Sequence, residues 1–310
     1  MKSFYSRIAS APISWGICEV PGWGKMLPTD RVLSEMHNLG LPATELGAPG
    51  FLPTNPTEIT DKLDQFEMSL IGGFTPVVVH DQNQNNETLK QVKQTAELFK
   101  KTGATHLVSS PVYTWNWDNP KPLSNDEYQN MFKMFAEIDK ICADFGLENV
   151  LHPHLQTTVE TKADVDRVLD GCDVKWCLDT GHMAIGGVDV VEFAKKAHAR
   201  VGHVHLKDVN LSKSKPVLAR QESIMAGVQK GLFTPLGSGD VPIAEVIKVL
   251  EGAGYQGWYV IEQDCAITGE MPADGDGPVI MISKSMEYLD RKSTRLNSSH
   301  VSESRMPSSA

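Results

Sequence analysis

Four short apolar runs in this chain each end in side chains able to hold a metal or move a proton. Asn149-Val150-Leu151 leads into His152 and His154. Val174-Lys175-Trp176-Cys177-Leu178 leads into Asp179 and His182. Ala199-Arg200-Val201-Gly202 leads into His203 and His205, followed by Lys207 and Asp208. Far downstream, Trp258-Tyr259-Val260-Ile261 ends in Glu262. Short runs of this kind read as strands. Polar ends spread over more than a hundred residues point to one converging site. A parallel α/β barrel brings them together, because its strand ends meet on one face and catalysis sits there.

The rest of the chain supports the same architecture. Arg7 to Gly16 has a strand-like core and a Ser-Trp-Gly end, and further strands are expected at Ala43 to Leu46, within Ser69 to Val79 with its trailing loop, and at Thr105 to Ser109. Between them, helical spacing covers Pro28 to Leu39, Glu58 to Met68, Glu87 to Lys101 and Asn125 to Phe145. Later helices are expected at Thr161 to Leu169, Asp189 to His198, Ala219 to Lys230 and Ile243 to Glu251. Strand and helix alternating about eight times is the pattern of a (β/α)8 TIM barrel. An open doubly wound sheet needs a Gly-rich phosphate loop after its first strand, and Ser14-Trp15-Gly16-Ile17 is not one. The reading gives one domain over residues 1–292. Ser293 to Ala310 is Ser-rich without hydrophobic periodicity, and resembles a read-through appendage. It is set apart as a disordered, non-native tail.

Charge and cysteine usage narrow the function. The formal charge of −10 argues against a nucleic-acid partner, which needs a basic surface. No apolar run approaches the ~18 residues of a membrane span, and no secretory leader is visible. Five cysteines, odd in number and without a CxxC pair, read as reduced packing thiols in a cytoplasmic protein. Cys177 is one of these.

Asp179, His205 and Glu262 offer two carboxylates and an imidazole, with His152 as the best fourth ligand. That set suits Mn²⁺, Co²⁺, Fe²⁺ or Zn²⁺ better than a thiolate-loving ion, with Mn²⁺ or Co²⁺ favoured. Such an ion can polarise the carbonyl of a hydroxy-ketone, so that a nearby carboxylate or imidazole removes the adjacent proton. A lone strand histidine is more often a packed core residue, and His203 lies deeper than His205 on the same side of its strand. Asp208 reads as a loop residue paired with Lys207.

Several segments carry a resemblance. Ala11 to Gly16, Glu45-Leu46-Gly47, His152-Pro153-His154 with Gln156 to Glu160, Leu178-Asp179-Thr180-Gly181-His182, His203 to Asp208 and Val260-Ile261-Glu262 resemble the inosose dehydratase branch of the xylose isomerase-like barrels. That superfamily also holds sugar epimerases, hydroxypyruvate isomerase and endonuclease IV. The resemblance implies metal ligation by Asp179, His205 and Glu262, with the fourth ligand either His152 or His154. It implies substrate contact by His182. Glu262, His154 and Lys207 are the candidates for proton transfer. Glu45, Trp15, Tyr113, Trp115 and Glu160 are candidate pocket-wall residues. Epimerase relatives carry a Glu where His152 stands here, which removes one of the two carboxylates used in epimerisation. The implied activity is dehydration of a keto-polyol such as 2-keto-myo-inositol, with a metal-dependent sugar isomerase or epimerase as the alternative. The resemblance also implies a homodimer.

Overall fold

The computed structural model describes residues 3–303, with side chains to Arg291. Its strands are Ile8–Ser10 (β1), Ala43–Glu45 (β2), Ser69–Val77 (β3), His106–Pro111 (β4), Glu148–Leu151 (β5), Lys175–Asp179 (β6), Val201–Leu206 (β7), Asp208–Val209 (β8), Phe233–Thr234 (β9) and Tyr259–Ile261 (β10). All but β8 and β9 pair in parallel and close in the order β1-β10-β7-β6-β5-β4-β3-β2. The pair β8 and β9 is antiparallel and stands apart from the barrel. The expected eight-stranded parallel barrel is therefore the fold.

Eleven helices are described: Thr29–Asn38 (α1), Pro56–Asp64 (α2), Asn85–Thr102 (α3), Asn125–Asp144 (α4), Lys162–Gly171 (α5), Thr180–Ile185 (α6), Val190–Ala197 (α7), Leu211–Leu218 (α8), Ile224–Gln229 (α9), Ile243–Gly252 (α10) and Pro278–Glu303 (α11). Their starts follow from local chemistry. Asn55, Asp189, Asn210 and Ser223 each accept backbone N–H groups at a helix N-terminus. Ser124 with Glu127, and Thr161 with Asp164, form reciprocal capping boxes.

Strand periodicity sorts the core into two layers. Leu107, Leu151, Trp176, Leu178, Val204 and Leu206 belong to the large cluster packed under the helices. Burying each such side chain contributes about 1.5–3 kcal/mol. Their alternates form small separate clusters, Ala9, Ala43, Ile71 and Val260 in one and Val108, Val150 and Cys177 in another. Cys177 is thus a packing residue, as expected, and all five cysteines are free thiols.

The first run is a strand only in its core. It leaves the sheet after Ser10, and Pro12–Trp15 forms a 3-10 turn closed by Gly16 at φ +79°. The helix expected over Ala219 to Lys230 begins later: α8 ends at Leu218, and α9 covers only Ile224–Gln229. Arg220 adopts φ +58°, which no continuous helix allows, and Ser223 starts α9. A further helix, α11, packs on the barrel through Ile282, Ser285 and Leu289, all buried. Its backbone continues as helix past Ser293 to Glu303, where no regular structure was expected, because extending a formed helix adds one bond per residue fixed. Residues 304–310 lie outside the described residues. Since Leu289 is the last buried side chain among the described residues, truncation after Lys292 is expected to leave the melting temperature unchanged within about 1 °C. A loss of several degrees would make the tail part of the fold.

Candidate active site and metal centre

The C-terminal ends of β5, β6, β7 and β10 bring His152, Asp179, His205 and Glu262 together. One ligand atom from each lies within 4.8 Å of all the others, and all four residues are buried. Asp179 shows how local folding supplies one of them. Its Oδ1 caps α6, accepting from Gly181 N–H at 2.9 Å and His182 N–H at 2.7 Å. That leaves Oδ2 for the centre, 3.2 Å from His152 Nε2 and 3.6 Å from His205 Nδ1. His205 Nδ1 lies 2.7 Å from Glu262 Oε2. Neither of these atoms has a hydrogen-bond partner among the described residues, although both are buried. Buried polar atoms are nearly always satisfied. Two imidazoles and two carboxylates crowding one point, with two of their atoms orphaned, fit a divalent cation.

His154 is not one of the four residues whose ligand atoms converge. Its Nδ1 donates to Leu155 O at 2.6 Å, and its ring packs 3.8 Å from the His182 ring. Burial pushes His154 down to about 3, with His152 and Lys207 adding to the effect, so the ring is neutral.

Lys207 stands beside the quartet and is fully buried. Its Nζ donates to Asp264 Oδ1 at 2.8 Å and to His182 Nε2 at 3.0 Å, and lies 3.2 Å from Glu262 Oε2 and 3.7 Å from Asp179 Oδ2. The Phe233 ring covers it at 4.8 Å. Burial alone would favour the neutral amine, but Asp264, Glu262 and Asp179 outweigh it and hold the ammonium above its ordinary range. Burial likewise would raise Glu262, yet His205 and Lys207 bring it down to about 2. Gly181 is required here: a Cβ on it would sit 2.6 Å from Lys207 Cγ.

The other candidates separate. Glu45, a candidate for the pocket wall, lies inside the barrel, where its Oε1 accepts from His203 Nε2 and His205 Nε2 at 2.8 and 2.9 Å. Trp15 is wholly buried in the core, with its indole N–H given to Glu35 Oε2. Tyr113 stacks on His80, and Trp115 donates to Gln84 Oε1. The aromatic of that loop that reaches the histidines is Trp117, stacked on Phe74 and 5.8 Å from the His154 ring. Glu160 serves the loops: it accepts from Gln156 N–H and pairs with Arg220. Asp208 does not pair with Lys207. It accepts instead from the backbone N–H groups of Val209, Gly237, Gly239 and Val241. Replacing Asp208→Ala strands these donors and is expected to cost about 2–4 kcal/mol. A urea midpoint within error of the unaltered chain would show that water replaces the carboxylate.

Sequence reading missed Asp264, Phe233 and Phe74. Asp264 had a signal, standing two residues after Glu262. Phe233 had none, because β9 is placed over Lys207 only by tertiary folding.

Residues 33–279 match the family model of the xylose isomerase-like TIM barrel. This chain belongs to that family. Within the xylose isomerase-like barrels it is 31% identical to the inosose dehydratase of Geobacillus kaustophilus, over 92% of this chain and 94% of that one. It is 29% identical to the rhizopine catabolism protein MocC of Rhizobium meliloti, over 83% and 81%. Among solved structures it resembles an L-ribulose 3-epimerase, with a TM-score of 0.70, 13% identity, and 97% and 100% of the two chains covered. It also resembles the IolI protein with a bound zinc atom, with a TM-score of 0.68, 14% identity, and 93% and 98% covered. At those identities the two structures speak to the fold alone. No helix among the described residues is long and apolar enough to cross a membrane.

Proposed function

We propose that this chain is a metal-dependent hydro-lyase that dehydrates 2-keto-myo-inositol or a close keto-polyol. His152, Asp179, His205 and Glu262 hold the ion, with Mn²⁺ or Co²⁺ favoured by the mixed imidazole and carboxylate donors. When bound, such an ion polarises a hydroxy-ketone carbonyl and acidifies the neighbouring C–H.

This chain's residues do the rest. Glu262, kept ionised, removes the proton from the carbon next to the ketone. The electron pair moves to the carbonyl oxygen, then returns as the hydroxyl on the next carbon departs. Lys207 stabilises the developing negative charge and gives that hydroxyl a proton, so water leaves. The product enol then tautomerises to a 1,2-dione. His182, fixed by Lys207, and the neutral His154 line the substrate side.

One observation carries the choice of dehydration over epimerisation. Acidic side chains at the centre come from β6 and from the end of β10, as Asp179, Glu262 and Asp264, whereas the β5 side presents only the imidazoles of His152 and His154. Inverting a carbon needs a base on each of its faces; eliminating water needs one base and one acid. The name of the Geobacillus kaustophilus relative favours the same reading. The free thiols suit a reducing, cytoplasmic setting. A homodimer belongs to the same proposal, and sedimentation would check it.

The test is a panel of keto-inositols and ketoses with Mn²⁺ or Co²⁺. Dione absorbance from a keto-inositol is the expected result. Epimers without loss of water would transfer the assignment to the isomerase alternative. No ion-dependent turnover of any member would leave a non-catalytic sugar-binding barrel.

A further inference from the structure

Beneath the quartet, inside the barrel, Glu45, His203 and His106, which the proposed chemistry does not use, gather around the quartet's own His205. Glu45 closes β2, while His203 and His205 stand two apart on β7. In the closed sheet β2 and β7 are separated by β1 and β10, so Glu45 reaches across the interior. Its Oε1 accepts from His203 Nε2 at 2.8 Å and from His205 Nε2 at 2.9 Å. The side chains of His203 and His205 are wholly buried and that of Glu45 is 4% exposed. Behind them, the His106 ring packs 4.9 Å from that of His203. Elsewhere this interior is filled by Ala43, Ile71, Val108, Val150 and Val260. Packing alone therefore needs no carboxylate here, and burying one costs several kcal/mol unless it is paired.

We infer that Glu45 is a positioning residue for the ion centre, holding His205 so that Nε2 carries the proton and Nδ1 faces the quartet. The geometry fits both halves of that statement. Nε2 is aimed at Glu45, and Nδ1 lies 2.7 Å from Glu262 Oε2 and 3.6 Å from Asp179 Oδ2. A carboxylate behind a ligating imidazole fixes its tautomer and strengthens the nitrogen that binds the ion. His203, as the second donor, keeps Glu45 from swinging away.

The same three residues also satisfy the spacing for an ion of their own. That ion would take Nε2 of His205 while the quartet takes Nδ1. A neutral imidazole has one ring proton and one lone pair, so double ligation would strip the ring of its proton. The hydrogen-bonded arrangement avoids this and leaves one ion per chain. This inference rests on the ion-binding reading of the quartet.

The experiment titrates Mn²⁺ and Zn²⁺ into the full chain against a chromophoric chelator, with thermal melts of the ion-free proteins alongside. Glu45→Gln keeps the size and removes the charge; it is expected to weaken ion binding by about 10–100-fold. Glu45→Asp, which keeps the charge, should recover part of that loss. In the Zn²⁺-loaded protein with ¹⁵N-histidine, His205, assigned through His205→Gln, should carry its proton on Nε2. Substitution that merely loosened packing would lower the melting temperature without moving that proton or the ion affinity. Ion binding by Glu45→Gln within twofold of the unaltered chain overturns the inference and leaves the quartet standing. So does a bare Nε2 on His205 in the loaded unaltered chain, a result that needs no variant to fold. Two ions per chain would likewise overturn it. If the unaltered chain binds no ion, the quartet reading falls and this inference falls with it.

Discussion

Glu262→Gln should reduce turnover by about 10²-fold or more, the loss typical of a general base, and saturating Mn²⁺ should not restore it. The substitution keeps the side chain's size and one oxygen for the ion, but removes the negative charge and nearly all the basicity. Because His152, Asp179 and His205 remain, ion binding should weaken only modestly. Glu262 is the base candidate whose ionised form the site favours: His205 Nδ1 at 2.7 Å and Lys207 Nζ at 3.2 Å oppose the effect of burial. The decisive measurement is exchange of the substrate's α-proton with deuterated solvent. Both exchange and elimination should fall together in this variant. Near-normal turnover with saturating ion would reduce Glu262 to a ligand and move the base to His154, whose Nδ1 is committed to Leu155 O, leaving Nε2 to accept the proton.

Lys207→Met should show the complementary defect, together with the larger loss of stability. The ammonium is wholly buried among Asp264, Glu262 and Asp179, and removing it leaves those carboxylates uncompensated. Breaking a buried ion pair this way costs about 3–5 kcal/mol, so the ion-free variant should melt well below the unaltered chain. A divalent ion restores positive charge beside two of the three carboxylates, so Mn²⁺ should raise the variant's melting temperature more than it raises the unaltered chain's. Elimination should fall by about 10²-fold or more, while α-proton exchange falls less, because the base is intact and the acid is gone. Loss of exchange and elimination to the same extent would instead make Lys207 part of proton abstraction.

The barrel was legible because its signals are local. Each strand is an apolar run a few residues long, and each of several helices opens on a side chain that caps it, as at Ser124 and Thr161. The quartet was legible for the same reason: Asp179, His205 and Glu262 stand where an apolar run stops, and in a parallel barrel all such ends share a face. The choice between His152 and His154 was not legible, since both follow the same strand. Only the folded chain sets His152 among the converging ligand atoms and turns His154 Nδ1 to Leu155 O.

Tertiary structure alone decided what each polar residue faces. Glu45 stood out in the sequence only as a candidate for the pocket wall, and the closed sheet sets its carboxylate against His203 and His205 across the barrel interior. Asp208 adjoins Lys207 in sequence, but Lys207 stands in the break between β7 and β8 and reaches Asp264, while Asp208 opens β8 and turns to the loop amides of Gly237 to Val241. The sequence by itself determined the alternation of strands and helices and the residue types at the strand ends. Only the closed sheet determined the partners, because pairings such as Lys207 with Asp264 or Glu45 with His205 join residues 57 and 160 apart in the chain. No local pattern records a contact of that separation.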